Sequence, residues 1–231
     1  MIDVLYVLGS GSLYDNLELR LSLRCLETNG RGFDRVFVVG EKPYWIQNIV
    51  HIPEKDDLTR EKNTFKKVLT ACRGDISDEF LFMNDDFFMM KEFDAETYPY
   101  FVIGKVVGIN RPSRYQKIQN KTLNLLESKG ISPVLDFRGH CPIRYNKEKF
   151  LSLEEFFNKS LNSDVGYSHR ILYGNLFVKE VCSGVKDCKL WDETELADNV
   201  QGCISSRDEG IELLRKIEQI YNKPSKYEKS V

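Results

Sequence analysis

The sequence predicts an α/β fold with a mostly parallel central sheet flanked by helices, and three observations carry it. Short apolar runs alternate with helix-period segments through residues 3–83 in a β-α-β-α-β order, the pattern of parallel strands with helices on both faces. The runs at 3–8 (Asp-Val-Leu-Tyr-Val-Leu) and 80–83 (Phe-Leu-Phe-Met) are almost uninterrupted, as in strands covered on both sides. The second run passes straight into Asn84, Asp85 and Asp86, so its acids fall at the carboxyl end of a central strand, where α/β folds bind ligands.

In chain order, the strand at 3–8 ends at a flexible turn, Gly9-Ser10-Gly11-Ser12. A helix is expected over 16–28, with Asp15 as N-cap, Asn29-Gly30 as its stop, and Leu19, Leu23 and Leu26 at core-facing spacing. Arg20 and Arg24 lie four apart and share a face. Residues 35–39 read as a second strand ending at Gly40, Pro43-Tyr44-Trp45 as the start of a short helix, and 49–52 as a third strand closed by Pro53. A helix over 62–72 turns Phe65, Val68, Leu69 and Cys72 inward before the acid-tipped strand. Beyond Asp86 the pattern loosens. Two strand-like runs lie within 98–110 around Gly104, a helix covers 116–128 up to Gly130, and 133–137 reads as a strand leading into Arg138-Gly139-His140-Cys141-Pro142. Residues 147–161 are amphipathic, 167–177 start as a helix, and 189–192 end in Asp192. Ser206 is the expected cap of a last helix with Ile211, Leu214, Ile217 and Ile220 as its stripe. Residues 1–222 form one domain in this reading, and 223–231 a polar, disordered tail.

Bulk composition excludes several classes. With 33 basic and 35 acidic residues among 231, a net charge of −2 and a pI near 6.0, no global basic field draws the chain to nucleic acid or an anionic membrane. The six cysteines, at 25, 72, 141, 182, 188 and 203, form no Cys-x-x-Cys pair, which argues against a structural zinc site. Cys25 and Cys72 fall inside expected helices as small apolar residues. The first residues lack a signal peptide's basic segment and cleavage site, and no apolar stretch reaches the length of a membrane span. The expected compartment is cytoplasmic, with reduced thiols.

Asn84, Asp85 and Asp86 offer oxygen donors in succession, which suits a hard cation such as Mg²⁺ or Mn²⁺ that can in turn hold substrate phosphates. A solvated turn is the competing reading, and the apolar Phe87-Phe88-Met89-Met90 argues against it. The loop Gly9 to Ser12 occupies the usual nucleotide position after a first strand. It fails the G-x-G-x-x-G fingerprint, the chain has no Gly-Lys-Ser/Thr Walker loop, and a plain turn fits it equally. Arg20 and Arg24 could meet phosphates or simply face solvent. His140 could be catalytic or structural, Arg170 carries little signal by itself, and Asp192 weakly echoes the Asp86 arrangement.

The stretch Asp15-Asn16-Leu17-Glu18-Leu19-Arg20-Leu21-Ser22-Leu23-Arg24 resembles the D-N-x-E-L-R-x-S-L-R block of the Stealth family. That family contains capsular-polysaccharide phosphotransferases and the catalytic part of the lysosomal-enzyme N-acetylglucosamine-1-phosphotransferase. Further blocks follow in order over roughly residues 1–195. Arg35 to Val39 resembles the second strand, Pro43-Tyr44-Trp45 the P-x-W, Phe80 to Phe88 the F-L-Y-L-N-D-D-F-F block, Gly139 to Pro142 the A-H-x-P block, and Cys188 to Asp192 the block ending in C-L-N-D. Arg170 stands at the matching distance beyond His140. The resemblance implies a GT-A-like nucleotide-sugar transferase fold, with residues 1–95 the nucleotide-sugar half and 96–222 the acceptor half. It also implies a sugar nucleotide held by Mg²⁺ or Mn²⁺ on Asp85, Asp86 and Asp192, and a hydroxyl acceptor, a glycan. His140, Arg170 and Asp86 would then be catalytic, and Gly9, Ser10, Gly11, Ser12, Arg20, Arg24, Lys67 and Asn84 would bind substrate. Two departures stand out. Val7 to Gly11 replaces the family's T-W-V-D-G, and Lys67 stands where the family has an acid in an A-I-E turn. A lysine cannot ligate metal and would suit a departing diphosphate, which tilts the expectation from sugar-1-phosphate transfer to glycosyl transfer. A metal-dependent phosphodiesterase and a non-catalytic nucleotide-sugar-binding module are the readings from other classes.

Overall fold

The computed structural model describes residues 1–12, 14–190, 199–206 and 210–229. Strand β1 (Ile2–Leu8) leads through helix α1 (Leu17–Asn29) and the two-residue β2 (Gly30–Arg31) to β3 (Phe33–Gly40) and β4 (Val50–Ile52). Helix α2 (Arg60–Arg73) returns the chain to β5 (Glu79–Met83), followed by the short strands β6 (Phe87–Met89), β7 (Phe93–Asp94) and β8 (Phe101–Val102). Then come α3 (Arg114–Ser128), β9 (Ile143–Asn146), α4 (Lys147–Leu151), α5 (Glu154–Ser160), α6 (His169–Phe177), β10 (Cys182–Ser183), β11 (Cys203–Ser205) and α7 (Ile211–Ile220).

The central sheet has the order β4-β3-β1-β5-β9. Its first four strands are mutually parallel, and β9 runs antiparallel to β5 with Ile143 opposite Phe82. Side chains alternate across this sheet and both faces are buried. Val4, Tyr6, Leu8, Val36, Val38, Leu81 and Met83 pack with α1 and α7 in one core. Leu5, Phe37, Val39, Phe80, Phe82, Ile143 and Tyr145 pack with α2 to α6 in the other. The second core is dense in rings: Tyr145 lies 4.8 Å from Phe150 and 4.6 Å from Tyr173, centroid to centroid. His169 lies among these rings and its Nδ1 pairs with the Tyr145 hydroxyl at 2.9 Å. Burial there lowers the His169 pKa to about 3, so this imidazole is a neutral core group.

The strand order reverses at β1: the chain steps outward to β3 and β4, then returns to β5 on the opposite side of β1. Loops leaving the carboxyl ends of β1 and β5 therefore diverge and leave a crevice between them. Gly9 to Ser12 and Tyr14 to Asn16 form one lip and Asn84 to Asp86 the other. Because β9 is antiparallel, its amino end and the preceding loop Arg138 to Pro142 lie at this same edge.

Several expectations are corrected. Helix α1 starts at Leu17, with Asn16 rather than Asp15 at the cap position, both in the left-handed region. Pro43 to Trp45 is a turn, not a helix, and 133–137 contributes only the isolated bridge between Leu135 and Lys105. The fifth strand of the sheet is β9, built from Ile143 to Asn146. The amphipathic stretch at 147–161 divides into α4 and α5. The last helix has Gly210 at its N-cap; residues 207–209, next to the expected cap Ser206, lie outside the described residues.

The expected disordered tail is docked through residue 229. Tyr227 and Glu228 are buried, and Glu228 bridges antiparallel to Ile46. Glu228 takes a bidentate contact from Arg24, Nε at 2.8 Å and Nη2 at 2.7 Å, while Arg24 Nη1 donates to the Tyr221 carbonyl. Both side chains of this pair are less than a tenth exposed, so removing one leaves a desolvated charge on the other. Glu228→Ala is expected to cost roughly 3 kcal/mol in urea unfolding. A midpoint equal to that of the parent protein would show that the segment contributes nothing to the fold.

Candidate active site

The acids sit on a tight turn. Phe87 N–H donates to the Asn84 carbonyl at 3.2 Å, which puts Asp85 and Asp86 at the corners. Two neighbours fix this turn. From α1, Ser22 Oγ donates to the Phe87 carbonyl at 2.6 Å and also meets the Tyr6 hydroxyl at 2.9 Å. From β11, which pairs antiparallel with β6, Ser205 Oγ donates to Asp86 Oδ2 at 2.6 Å. Burial, then the adjacent Asp86 and then Glu18 push the Asp85 carboxyl up to about 7. The turn thus brings two carboxyl groups together at a half-buried place, and hard carboxylate oxygens are the donors a divalent cation takes. Among the described residues no group of three or more His, Cys, Asp or Glu side chains is arranged to hold a metal ion. Asp192, the expected third carboxylate, lies outside the described residues.

Across the crevice, Ser12 organises the lip before α1. Its Oγ accepts from the backbone N–H of Asn16 at 2.8 Å and of Tyr14 at 3.3 Å, and donates to Glu18 at 3.2 Å. Glu18 thus bonds to one lip and repels the Asp85 carboxyl of the other. Ser10 N–H points to Asp56 Oδ2 at 3.4 Å, Gly9 lies beside the same carboxylate, and Gly11 is exposed. A cleft of about 450 Å³ opens beyond β1, β3 and β4, lined by Ser10, Gly40, Glu41, Glu54, Lys55 and Asp56 among others. Gly40 has φ 117°, and a Cβ there would fall 2.0 Å from the Leu8 carbonyl oxygen, so only glycine lets these strands end so close together.

Lys67 lies behind Gly40 and Asp56 of this cleft, and its ammonium already has two partners. Its buried ammonium donates to the Leu8 carbonyl at 2.7 Å and pairs with Asp56 at 2.6 Å. It is therefore a structural tie between β1 and the Asp56 loop rather than a cation presented to a diphosphate. Arg20 and Arg24 do share a face, but that face meets the carboxyl-terminal segment. Arg24 is consumed by Glu228, and Arg20 lies over the Trp45 ring at 4.6 Å with its Nε 3.8 Å from Glu228. Arg24 is corrected from phosphate ligand to structural group.

The third component is the loop before β9. His140 has φ 42°, a left-handed conformation that histidine tolerates better than most residues. Arg170 spans this loop, with Nε on the Phe137 carbonyl at 3.0 Å and Nη2 on the Cys141 carbonyl at 2.6 Å. Its guanidinium also lies 5.7 Å from the centre of the Phe87 ring, and its Nη1 is buried without a hydrogen-bond partner. His140 Nδ1 meets Asp187 at 2.7 and 2.9 Å to the two carboxylate oxygens. Behind it, Cys141, Cys188 and Cys203 are buried in one core, and the Cys203 thiol lies 3.6 Å from the Ile204 carbonyl and 3.7 Å from that of His140. Backbone bonds complete the path to the acids: Cys188 N–H to the Gly139 carbonyl at 3.1 Å, and Ser205 N–H to the Cys188 carbonyl at 3.0 Å. His140, Asp187, Ser205 and Asp86 thus belong to one connected framework. Asp187, Ser205, Glu18 and Asp56 were missed as site residues. Glu18 alone had a signal, its place inside the first Stealth-like block.

No protein-family model matches the chain, and no curated protein matches it. Solved structures do resemble it. The glycosyltransferase GlyE of Streptococcus pneumoniae TIGR4 gives a TM-score of 0.42 at 10% identity, covering 83% of this chain and 45% of that one. The galactosyltransferase LgtC in complex with donor and acceptor sugar analogues gives 0.48 at 11% identity, covering 79% of this chain and 73% of that one. HddC from Yersinia pseudotuberculosis gives 0.28 at 15% identity over 38% of this chain and 49% of that one. The chain spans less than half the length of GlyE and of HddC. Among the described residues, no helix is long and apolar enough to cross a membrane.

The raised Asp85 carboxyl has a consequence for stability. Between about pH 4 and pH 7 the folded state holds a proton that the unfolded state has released, so stability falls as pH rises through this window. Asp85→Asn should abolish that fall and stabilise the protein at pH 8 by roughly 2 kcal/mol. Thermal midpoints of both proteins measured from pH 5 to pH 8 provide the check. Parallel curves would mean that Asp85 carries no such strain.

Proposed function

We propose that this chain is a metal-dependent transferase of GT-A-like fold that takes a nucleotide-activated sugar as donor and moves the glycosyl group to a hydroxyl acceptor, a glycan. The observation that carries this reading is the braced Asp85–Asp86 turn at the strand-order reversal, with the His140 loop on the same edge of the sheet. The donor's base and ribose would lie along Gly9 to Ser12 and the adjoining cleft. Asp86 and Asp85, with Asp192 as a further carboxylate, would hold Mg²⁺ or Mn²⁺, which when bound neutralises charge on the departing diphosphate. Asn84 closes the turn that aims these carboxylates. His140 would take the acceptor hydroxyl's proton as that oxygen attacks the anomeric carbon, and the bond from this carbon to the diphosphate breaks. Arg170 keeps the His140 loop in shape through two carbonyls, and its unpartnered Nη1 holds positive charge behind the site.

Sugar-1-phosphate transfer is the second reading, and the Stealth-like blocks favour it. The argument against it from a free cation at Lys67 falls away, since that ammonium is committed to Asp56 and Leu8. The two reactions differ in the bond broken and so in the nucleotide released. Incubation with Mn²⁺, a panel of sugar nucleotides and glycan acceptors, followed by chromatography, should yield a nucleoside diphosphate. Chelation or Asp86→Ala should abolish its release. Nucleoside monophosphate as the primary product would replace glycosyl transfer by sugar-phosphate transfer. Donor binding without release against any acceptor would favour a binding module, and cleavage of polynucleotide in preference to sugar nucleotide a phosphodiesterase.

A further inference from the structure

We infer that Asp187 is the positioning residue of His140: it fixes the imidazole in the Nδ1–H tautomer, so that Nε2 carries the lone pair that receives a proton. This rests on the reading of His140 as the general base. The deduction is one of donors and acceptors. A carboxylate can only accept, so an imidazole nitrogen within 2.7 and 2.9 Å of both its oxygens must donate. In the neutral ring the proton is then on Nδ1, and Nε2 is left as the base.

The pair differs from an ordinary surface contact, which contributes little, because both partners are held by their backbones. On the His140 side, the left-handed φ and the Arg170 contact to the adjacent Cys141 carbonyl fix the backbone from which the ring projects. On the other side, Lys189 N–H donates to Asp187 Oδ1 at 3.2 Å, Cys188 N–H is tied to Gly139, and Gln201 Nε2 donates to the Lys186 carbonyl at 2.6 Å. Imidazole and carboxylate are 28% and 34% exposed, so the dyad is reached by solvent and is not in the core.

The other two histidines act as internal references. His51 meets the Gly40 carbonyl through Nε2 at 2.9 Å, so it must donate from Nε2 and carry the opposite tautomer. His169 is the neutral core histidine paired with Tyr145.

Nitrogen-15 spectra of the histidine-labelled protein at about pH 8.5, above the usual imidazole range, test the tautomer directly. His140, assigned by its loss in His140→Ala, should be the Nδ1–H form, and Asp187→Asn should turn it into a mixture. In kinetics, Asp187→Asn should lower kcat about tenfold or more while leaving the donor KM within about twofold, and Asp187→Glu should recover most of kcat. An Nε2–H tautomer in the parent protein, or Asp187→Asn with unchanged tautomer and kcat, overturns the inference. A His140→Ala protein with unimpaired turnover would instead overturn the general-base reading, while the tautomer measurement still stands on its own.

Discussion

Two carboxylates side by side at the end of a strand buried on both faces repel each other, and the surrounding structure is what keeps them there. The turn that carries them has its outgoing carbonyl held by Ser22 of α1, its second acid held by Ser205 of β11, and the hydroxyl of Tyr6 backing Ser22 from the neighbouring strand. The cost appears as the raised Asp85 carboxyl, made worse by Glu18 from the facing lip. Such strain is stable only when the neighbouring elements over-determine the geometry, and it concentrates where a ligand relieves it.

The direction of a single strand decides which other groups join the acids. Were β9 parallel to β5, the loop bearing His140 would emerge at the far edge of the sheet. Running antiparallel, it delivers that loop beside the ends of β5 and β1. The buried side chains of Cys141, Cys188 and Cys203 then form an apolar junction beneath it, from the His140 loop, the Asp187 loop and β11. The neighbouring Cys188, and then burial, hold the Cys141 thiol well above its usual range, and burial raises that of Cys203, which suits packing groups and not nucleophiles.

The architecture was legible where hydrophobic period decides the outcome. The strands at 3–8 and 80–83 and the helices α1 and α2 between them were read from pattern, and the carboxyl-edge placement of Asp86 followed. What pattern could not show was pairing between distant residues. Ile143-Arg144-Tyr145-Asn146 is a short alternating run whose arginine spends its donors on the carbonyls of Glu96 and Tyr98, and nothing local marks it as a sheet strand. The more apolar 133–137 drew the strand assignment instead, and serves as a cover over Val106. The polar stretch after residue 222 reads as disorder until Glu228 meets Arg24, a partner 204 residues away. Lys67 likewise has the composition of a ligand-binding cation, and only the position of Asp56 shows that its charge is already used. Asp187 has no periodic or spacing signal, since its meaning lies in a contact across a fold that brings two loops together.

Helix α1 carries Glu18 and Ser22 toward the crevice and Arg20 and Arg24 toward the docked chain end. The two faces are rigidly joined through one helix, so the chain end and the crevice share a folding equilibrium. A ligand that steadies the acid turn through Ser22 also steadies the helix on which Glu228 is seated. Amide exchange in residues 225–229 would then slow on occupancy of a crevice that those residues never touch, by the mass-action linkage that couples any bound site to the elements supporting it.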